Sequence, residues 1–454
     1  MLAESTYSGL PDKRLKERFA KIVESLSNAA EQSIPQALGS WKAAKAAYRF
    51  FDNERVRHED VLAGQREATR QRIQERGEST VLVVQDTTSF NFKHHPATEG
   101  MGPVENAHTA GFLAHSSLAV SPDGVPLGLV EQQVWVRDPE ETGKSQQRHE
   151  REFSDKESYK WVAGLPSMEE EALAQQVVTI CDREAHIYEF VDMARDQGHD
   201  FIVRAMRGRS FSPAGQEIFD FLSELPVEKR YTIQLKAHPR RDAREAQVEL
   251  RYGRITLKRP RRVESAQPSL TLQVVEVVEP HPPPGEKAVH WVLLTSLPLD
   301  TLAQAEQVVR WYSYRWLIER FHYVLKSGCR LEERQLQTQK RLERLLGVFN
   351  VVAWRLLWLT YQARQTPDAS CLVALTPEQW QALYAYHQGT TQLPDNPPPL
   401  RQATHWIAQL GGFLGRKGDG EPGVKVLWRG WTRLQDIVNT WQLVHPPPND
   451  VGKA

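Results

Sequence analysis

Apolar and polar positions follow three different rhythms along this chain. Over about the first seventy residues the apolar positions return every three or four residues, the spacing of one helix face. Asp12 is placed to cap a helix carrying Leu15, Phe19, Ile22, Val23 and Leu26. After the loop at Ile34-Pro35, Ser40 is placed to cap a second helix, and a third, polar one runs through Val56, Val61 and Leu62 into the Arg-rich stretch Arg66–Arg76. From Ser79 the rhythm changes. Thr80-Val-Leu-Val-Val-Gln-Asp86 is an unbroken β-branched run, the pattern of a buried strand, and it ends in a carboxylate. Ser116–Val120 and Leu127–Val136 predict two more strands. Val177-Val-Thr-Ile-Cys-Asp182 predicts another that ends in an acid, followed by a helix opened by Arg183-Glu184-Ala185-His186 and a strand over Asp200–Arg204. Strands interleaved with helices in this way predict an α/β mixed sheet.

Between Ser210 and Glu286 the rhythm is short alternating β runs, Tyr231–Leu235, Gln247–Tyr252 and Thr271–Val278, closed by His281-Pro-Pro-Pro-Gly285. A strand at Trp291–Thr295 follows, then a long helix beginning at Thr301 that holds Trp311–Lys326 without a Gly or Pro. The stretch from about Lys340 to Tyr361 is apolar on most sides and predicts a buried helix. Gln362–Ala369 reads as a polar linker. Thr376-Pro377 starts a further helix with cap and N1 proline matched, and Pro394–Pro399 reads as a hinge. Trp431, Leu434, Val438 and Trp441 form an apolar stripe suited to a partner helix, or to the domain's own core.

Composition narrows the classes. The chain has 454 residues with 40% hydrophobic and 25% charged content, enough for two or three domains with a sizeable core. Its formal net charge is zero, so a polyanion site has to come from local patches. One candidate patch lies between Lys229 and Arg262, where twelve Lys and Arg residues face Asp242, Glu245 and Glu249. It suits a nucleic-acid backbone or a solvated β surface. Another is the stripe Lys42, Lys45, Arg49 at i, i+3, i+7 of the second helix, a spacing that suits a DNA groove or a solvated bundle face. The three cysteines, Cys181, Cys329 and Cys371, form neither a disulfide framework nor a zinc pattern. No run approaches a membrane span and no signal-peptide pattern opens the chain, so a cytoplasmic protein without a membrane partner is expected.

The chemistry concentrates in Trp311–Lys326. On a regular helix Tyr312, Arg315, Glu319 and Lys326 fall within roughly 60° of one another. A carboxylate can hold a hard metal ion, and two cations and a phenol can hold phosphate. The plainer alternative is an exposed helix face with an Arg315–Glu319 pair. Asp86 and Asp182, each after a strand, lie where ligand chemistry gathers in open α/β sheets, although such acids also serve as simple caps. Asp86, Asp182 and Glu319 are three carboxylates from three elements. Two Mg²⁺ ions about 3.5–4 Å apart need a cluster of that kind.

The segment Tyr312-x₂-Arg315-x₃-Glu319-x₆-Lys326 has the spacing of the Y-R-E-K signature of bacterial insertion-sequence DDE transposases, and it resembles the Tn-five-like branch of the IS-four family. Gln85-Asp86-Thr87-Thr88-Ser89 is similar to that family's first-aspartate motif and Cys181-Asp182-Arg183-Glu184-Ala185 to its second. Trp291-Val-Leu-Leu-Thr-Ser296 with Leu302-Ala303-Gln304-Ala305 resembles the approach to the glutamate. Tyr48-Arg49-Phe50 and Leu410-Gly411-Gly412-Phe413 resemble landmarks near the two ends, so the likeness spans nearly the whole chain.

The resemblance implies an RNase H-like mixed sheet with a β-rich insertion at about 205–290, inside a catalytic domain at 71–365. A helical domain at 1–70 would read the transposon end, and a C-terminal helical domain at 366–454 would pair two subunits. Asp86, Asp182 and Glu319 would be catalytic metal ligands for Mg²⁺, with Mn²⁺ as a substitute. Tyr312, Arg315 and Lys326 would clamp DNA phosphates, Trp291 would stack a flipped base, and Arg204, Lys160 and Arg334 would touch DNA, with Lys42, Lys45 and Arg49 in the end-reading helix. The implied activity is cut-and-paste DNA transposition through a hairpin intermediate by a homodimer. It would act on inverted-repeat ends and a target DNA, at the nucleoid of a bacterial cytoplasm. Around Cys329–Glu333 the pattern departs by one apparent inserted residue. Two other classes remain beside it: a catalytically silent DNA-binding or inhibitor relative, and a metal-dependent structure-specific nuclease.

Overall fold

A computed structural model describes residues 8–106, 108–141, 151–166, 173–206, 218–235, 242–261, 263, 265 and 267–445. The chain opens with helices α1 (Lys13–Asn28), α2 (Ile34–Leu38), α3 (Trp41–Phe51) and α4 (His58–Arg76). The caps fall where the sequence puts them: Asp12 accepts from the Leu15 amide at 2.9 Å and Ser40 from the Ala43 amide at 3.2 Å. Two arginines of α4 bond carbonyls of the sheet. Arg66 donates to the Val130 carbonyl at 2.9 Å, and Arg72 donates to the Leu127 carbonyl at 3.0 Å with its guanidinium 3.6 Å from the Trp354 ring. Gly128, at φ +144, lets α4 lie against the sheet, because a Cβ there would stand 2.1 Å from the Thr69 hydroxyl.

The core then follows as β1 (Thr80–Asn91), β2 (Gly102–Pro103), β3 (Ala110–Val120), β4 (Pro126–Trp135), the single turn α5 (Lys160–Ala163), β5 (Gln176–Cys181), α6 (Tyr188–Asp196) and β6 (Asp200–Arg204). After it come α7 (Ile218–Glu224), β7 (Lys229–Leu235), β8 (Arg244–Lys258), β9 (Ser269–Val278) and β10 (His290–Thr295). β1 pairs antiparallel with β3 and parallel with β5, β3 pairs antiparallel with β4, and β5 pairs parallel with β6. That mixed arrangement of β4, β3, β1, β5 and β6 is the RNase H-like sheet. The β-rich stretch extends it: β10 pairs with β6, and β9, β8 and β7 follow, giving a 10-stranded sheet among the described residues. One apolar core lies between the sheet and the helices of the Glu319 side, and a second gathers α6, α7 and the inner side of β8 and β9 on the opposite face.

Helices α8 (Leu302–Ser313), α9 (Trp316–Tyr323), α10 (Gln339–Gln365), α11 (Pro377–Gln388), α12 (Leu400–Leu410) and α13 (Val424–Val444) complete the chain. Three expectations change here. The helix expected to run unbroken through Lys326 breaks at Tyr314-Arg315 by tight i+3 bonds, Arg315 to Tyr312 and Leu317 to Tyr314, and ends in a π turn at Val324–Gly328. The stripe Trp431, Leu434, Val438 is buried within the chain's own helical domain, against α11 and α12, so it is not a free face for a partner. The basic patch is also neutralised in part, at four of its eight described cations. Arg230 pairs with Glu249, Arg251 with Glu249 and Glu276, Arg244 with Glu279, and Lys229 with Glu306. The last three carboxylates lie outside the 229–262 window. Lys236, Arg240, Arg241 and Arg262 lie outside the described residues. No helix among the described residues is long and apolar enough to cross a membrane.

Candidate active site

Strand register builds the site. β1 and β5 pair in parallel from Thr80↔Gln176 to Val84↔Ile180. Two residues further on each chain stand Asp86 and Asp182, so the register that zips the two strands delivers both acids to the same place. β5 has ended by then. Asp182 starts a 3-10 turn and accepts from the Glu184 amide at 2.8 Å. β1 continues to Asn91, so Asp86 lies within a strand and not at its end, as the sequence had suggested. Its carboxylate accepts from the Thr87 amide at 2.9 Å.

Glu319 comes from α9, packed over β1. Arg315, in the break between α8 and α9, joins the two: its Nη1 is 3.8 Å from Asp86 Oδ2 and its Nη2 pairs with Glu319 Oε1. One guanidinium therefore spans carboxylates from strand and helix. The electrostatics are unbalanced. Burial first, then the neighbouring Asp182 and Glu319, push the Asp86 carboxyl up to about 7 against the pull of Arg315. Burial also raises Asp182. Among the described residues no group of three or more His, Cys, Asp or Glu side chains forms a ready metal cage, and Arg315 pairs with both Asp86 and Glu319. The donor set nevertheless fits a hard divalent cation. It offers carboxylate oxygens only, and desolvated acids crowd where one monovalent guanidinium leaves them under-compensated.

The other expected residues divide. Tyr312 is buried and meets the Trp291 ring edge-on, centroids 5.3 Å apart at 71°. Arg204 donates to the His290 carbonyl at 2.8 Å, beside the Tyr312 phenol and near Arg315 and Arg183. Tyr312, Arg315, Trp291 and Arg204 thus adjoin the acids on one side. Lys160 adjoins Asp182 on the other. It is buried, with Nζ 3.1 Å from Glu184 and 3.8 Å from Glu157, at the edge of an open cleft of ≈ 1020 Å³ that Trp135 and Arg137 also line. Lys326 stands apart. The π turn carries it to the far end of β1, where Nζ lies over the Phe90 ring at 5.7 Å and 3.9 Å from Glu332. The shared stripe with Tyr312 that a regular helix predicts is therefore not formed.

Arg334 is a correction. It is 6% exposed, donates to the carbonyls of Cys329, Gln32 and Ala30, and lies 5.1 Å from the Phe349 ring. Its bonds tie the Ala30 and Gln32 carbonyls, between α1 and α2, to the core, and burial keeps it from the surface where DNA would lie. Lys42, Lys45 and Arg49 are exposed on α3, and Trp41 at the start of that helix is 74% exposed beside them. Sequence reasoning gave no role to Arg183, to Glu184, which anchors Lys160, or to Glu332, which accepts the Asn91 amide at 2.8 Å. For Arg183 and Glu184 the signal was adjacency to Asp182; Glu332 reaches the end of β1 only through the fold.

Three family descriptions match the chain in order: Transposase DNA-binding over residues 2–56, Transposase DDE domain over 161–353, and Transposase Tn5 dimerisation domain over 351–444. Asp182 and Glu319 fall inside the second span and Asp86 lies upstream of it. With a DNA-binding segment, an acid-bearing RNase H-like core and a dimerisation segment in succession, the chain belongs to the Tn5-like DDE transposases, metal-dependent enzymes that cleave DNA and transfer strands.

Proposed function

We propose that Asp86, Asp182 and Glu319 hold the divalent metal, Mg²⁺ with Mn²⁺ as a substitute, in a cut-and-paste transposition reaction. The observation that carries this reading is the β1–β5 register, which sets Asp86 beside Asp182, with Arg315 bridging Asp86 to Glu319. When bound, the metal supplies an acidified nucleophilic hydroxyl and charge neutralisation at the leaving oxygen of a phosphodiester. The chain's own residues do the rest. In the free protein Arg315 offsets two carboxylates. A scissile phosphate competes for the same N–H groups and leaves those carboxylates to the metal, so DNA and metal favour each other. Tyr312 and Arg204 flank that phosphate. Trp291, half-buried against Tyr312, offers a face for a base flipped from the transposon end. Lys326 serves a phosphate further along the strand.

In this reading residues 1–70 read inverted-repeat ends through Lys42, Lys45 and Arg49. Residues 71–365 cut one strand, and the freed 3′ hydroxyl attacks the other to form a hairpin that is reopened. The segment 366–454 pairs two copies, which join the ends to target DNA at the nucleoid of a bacterial cell. Labelled end DNA incubated with the protein and Mg²⁺ tests it. Transposition gives a hairpin and a joined product, a structure-specific nuclease gives nicks alone, and a silent relative gives only a mobility shift. Cleavage by Asp86→Ala would remove Asp86 from the metal set.

A further inference from the structure

Behind the acids runs a line of buried polar side chains that the chemistry above does not use. Ser116 on β3 is the register partner of Asp86 and is fully buried. His322, one turn after Glu319 on α9, is 6% exposed and sets its Nε2 3.3 Å from the Ser116 hydroxyl. The same hydroxyl accepts from Gln132 Nε2 at 2.9 Å, and Gln132 is in turn the β4 partner of Ser116. Gln132 and Asn350 of α10 exchange amide bonds, Asn350 Nδ2 to Gln132 Oε1 at 2.6 Å and Gln132 Nε2 to Asn350 Oδ1 at 3.3 Å. Asn350 is 1% exposed. The column crosses from α9 through β3 and β4 to α10, elements whose Leu118, Phe321, Leu346 and Phe349 belong to the apolar core, with His58 beside Gln132 and His115 near His322.

Apolar side chains would pack these elements as tightly, but they would tolerate a helix sliding over the sheet. A hydrogen-bonded column does not, because each group displaced from its partner is left buried and unsatisfied. Resting on the metal-site reading above, we propose that His322 and Ser116 are positioning residues. Through the column to Gln132 and Asn350 they fix the helix that carries Glu319 against the strand pair that carries Asp86. Burial and the nearby Lys326 hold the His322 imidazole down to about 3, so it stays neutral and acts as a hydrogen-bond partner, not a base.

The test is Mn²⁺ binding to the full chain, followed by electron paramagnetic resonance, together with the metal concentration that gives half-maximal cleavage. Ser116→Ala and His322→Leu should each weaken Mn²⁺ binding about 10–100-fold, the range for residues that orient metal ligands. His322→Gln should restore most of it, because its side-chain amide offers both a donor and an acceptor and can place either where the imidazole Nε2 stands. Melting of the metal-free variants is measured in parallel. Unchanged Mn²⁺ binding, a loss that only tracks the unfolded fraction, or a Gln variant no better than Leu would overturn the proposal. Asp86→Asn separates the two layers of argument. If it keeps Mn²⁺, the site reading falls and this inference with it. If it loses Mn²⁺ while Ser116→Ala and His322→Leu bind normally, only the column's role falls.

Discussion

The acid-bearing end of β1 and β5 and the β7–β9 extension are built from the same residue types in the same sheet, yet they balance charge in opposite ways. In the extension each described carboxylate that is buried finds arginine. Glu276 faces Arg251 at 3.0 Å, Glu279 takes both Arg244 nitrogens, and the Arg230 guanidinium holds Glu249 below the usual carboxylate range. At the site one guanidinium serves Asp86 and Glu319 together, and the Asp86 carboxyl rises to about 7. A satisfied ion-pair lattice fixes structure. An under-compensated one keeps a demand for positive charge that a ligand can meet.

The largest contrast is expected from Asp86→Asn. Cleavage of end DNA should fall on the order of 10⁴-fold, about 5.5 kcal/mol of barrier, with divalent-metal binding lost. Metal-free melting should move upward, since the change removes a carboxylate that folding raises. Activity surviving within tenfold of the parent would equate this acid with those of the extension.

Acidity gives the two regions opposite signs. A carboxyl raised from 3.8 to about 7 binds its proton more tightly folded than unfolded. Its contribution to metal-free stability is complete below about pH 4 and is lost as pH climbs through about 7, a change of about 4 kcal/mol at most. Metal binding should strengthen over that same window. Glu249, lowered by Arg230 and Arg251, works the other way: its contribution is present at neutral pH and is lost on acidification through its folded value. Denaturant titrations from pH 4 to 8, with and without Mg²⁺, check both. If metal-free stability does not fall between pH 4 and 7 in the parent relative to Asp86→Asn, the demand for charge at the site is absent.

Glu279→Gln probes the satisfied side. It leaves Arg244 facing a neutral amide with Glu286 3.9 Å away as its remaining carboxylate, and should lower the unfolding free energy with metal binding unchanged. A loss of Mn²⁺ binding equal to that of Asp86→Asn would dissolve the distinction between the regions.

Why the two regions differed in legibility follows from where their information sits. The β-branched runs before Asp86 and Asp182 announce buried strands, but the parallel register that places the acids together is a long-range pairing that local sequence does not state. Charge balance in the extension was opaque because Glu276, Glu279 and Glu306 enter from other elements, so a count over neighbouring residues sees a large excess of cations. The break at Tyr314-Arg315 carries no Gly or Pro, and both residues keep right-handed helical angles. It is set by how the two helix halves dock. Arg334 looks like any surface arginine until the Ala30 and Gln32 carbonyls are brought against it from some three hundred residues away.

Trp291→Ala should weaken the complex with transposon-end DNA by about 1–3 kcal/mol if the ring stacks one flipped base. An abasic nucleotide at the flipped position should abolish the difference between parent and variant. If the deficit persists on abasic DNA, the ring serves only to support Tyr312.

The smallest effect separates the two populations of arginine most cleanly. Arg315 is tied to acids that a metal can take over, so its guanidinium is available to phosphate. Arg251 lies between Glu249 and Glu276, which nothing relieves. Arg315→Gln should therefore flatten the slope of log affinity against log salt by about one unit, whereas Arg251→Gln should leave it as in the parent. Equal flattening by both would mean that phosphates compete for the extension's ion pairs too, and that its arginines also face the DNA. No change from either would return Arg315 to an ordinary helix pair worth a few tenths of a kcal/mol.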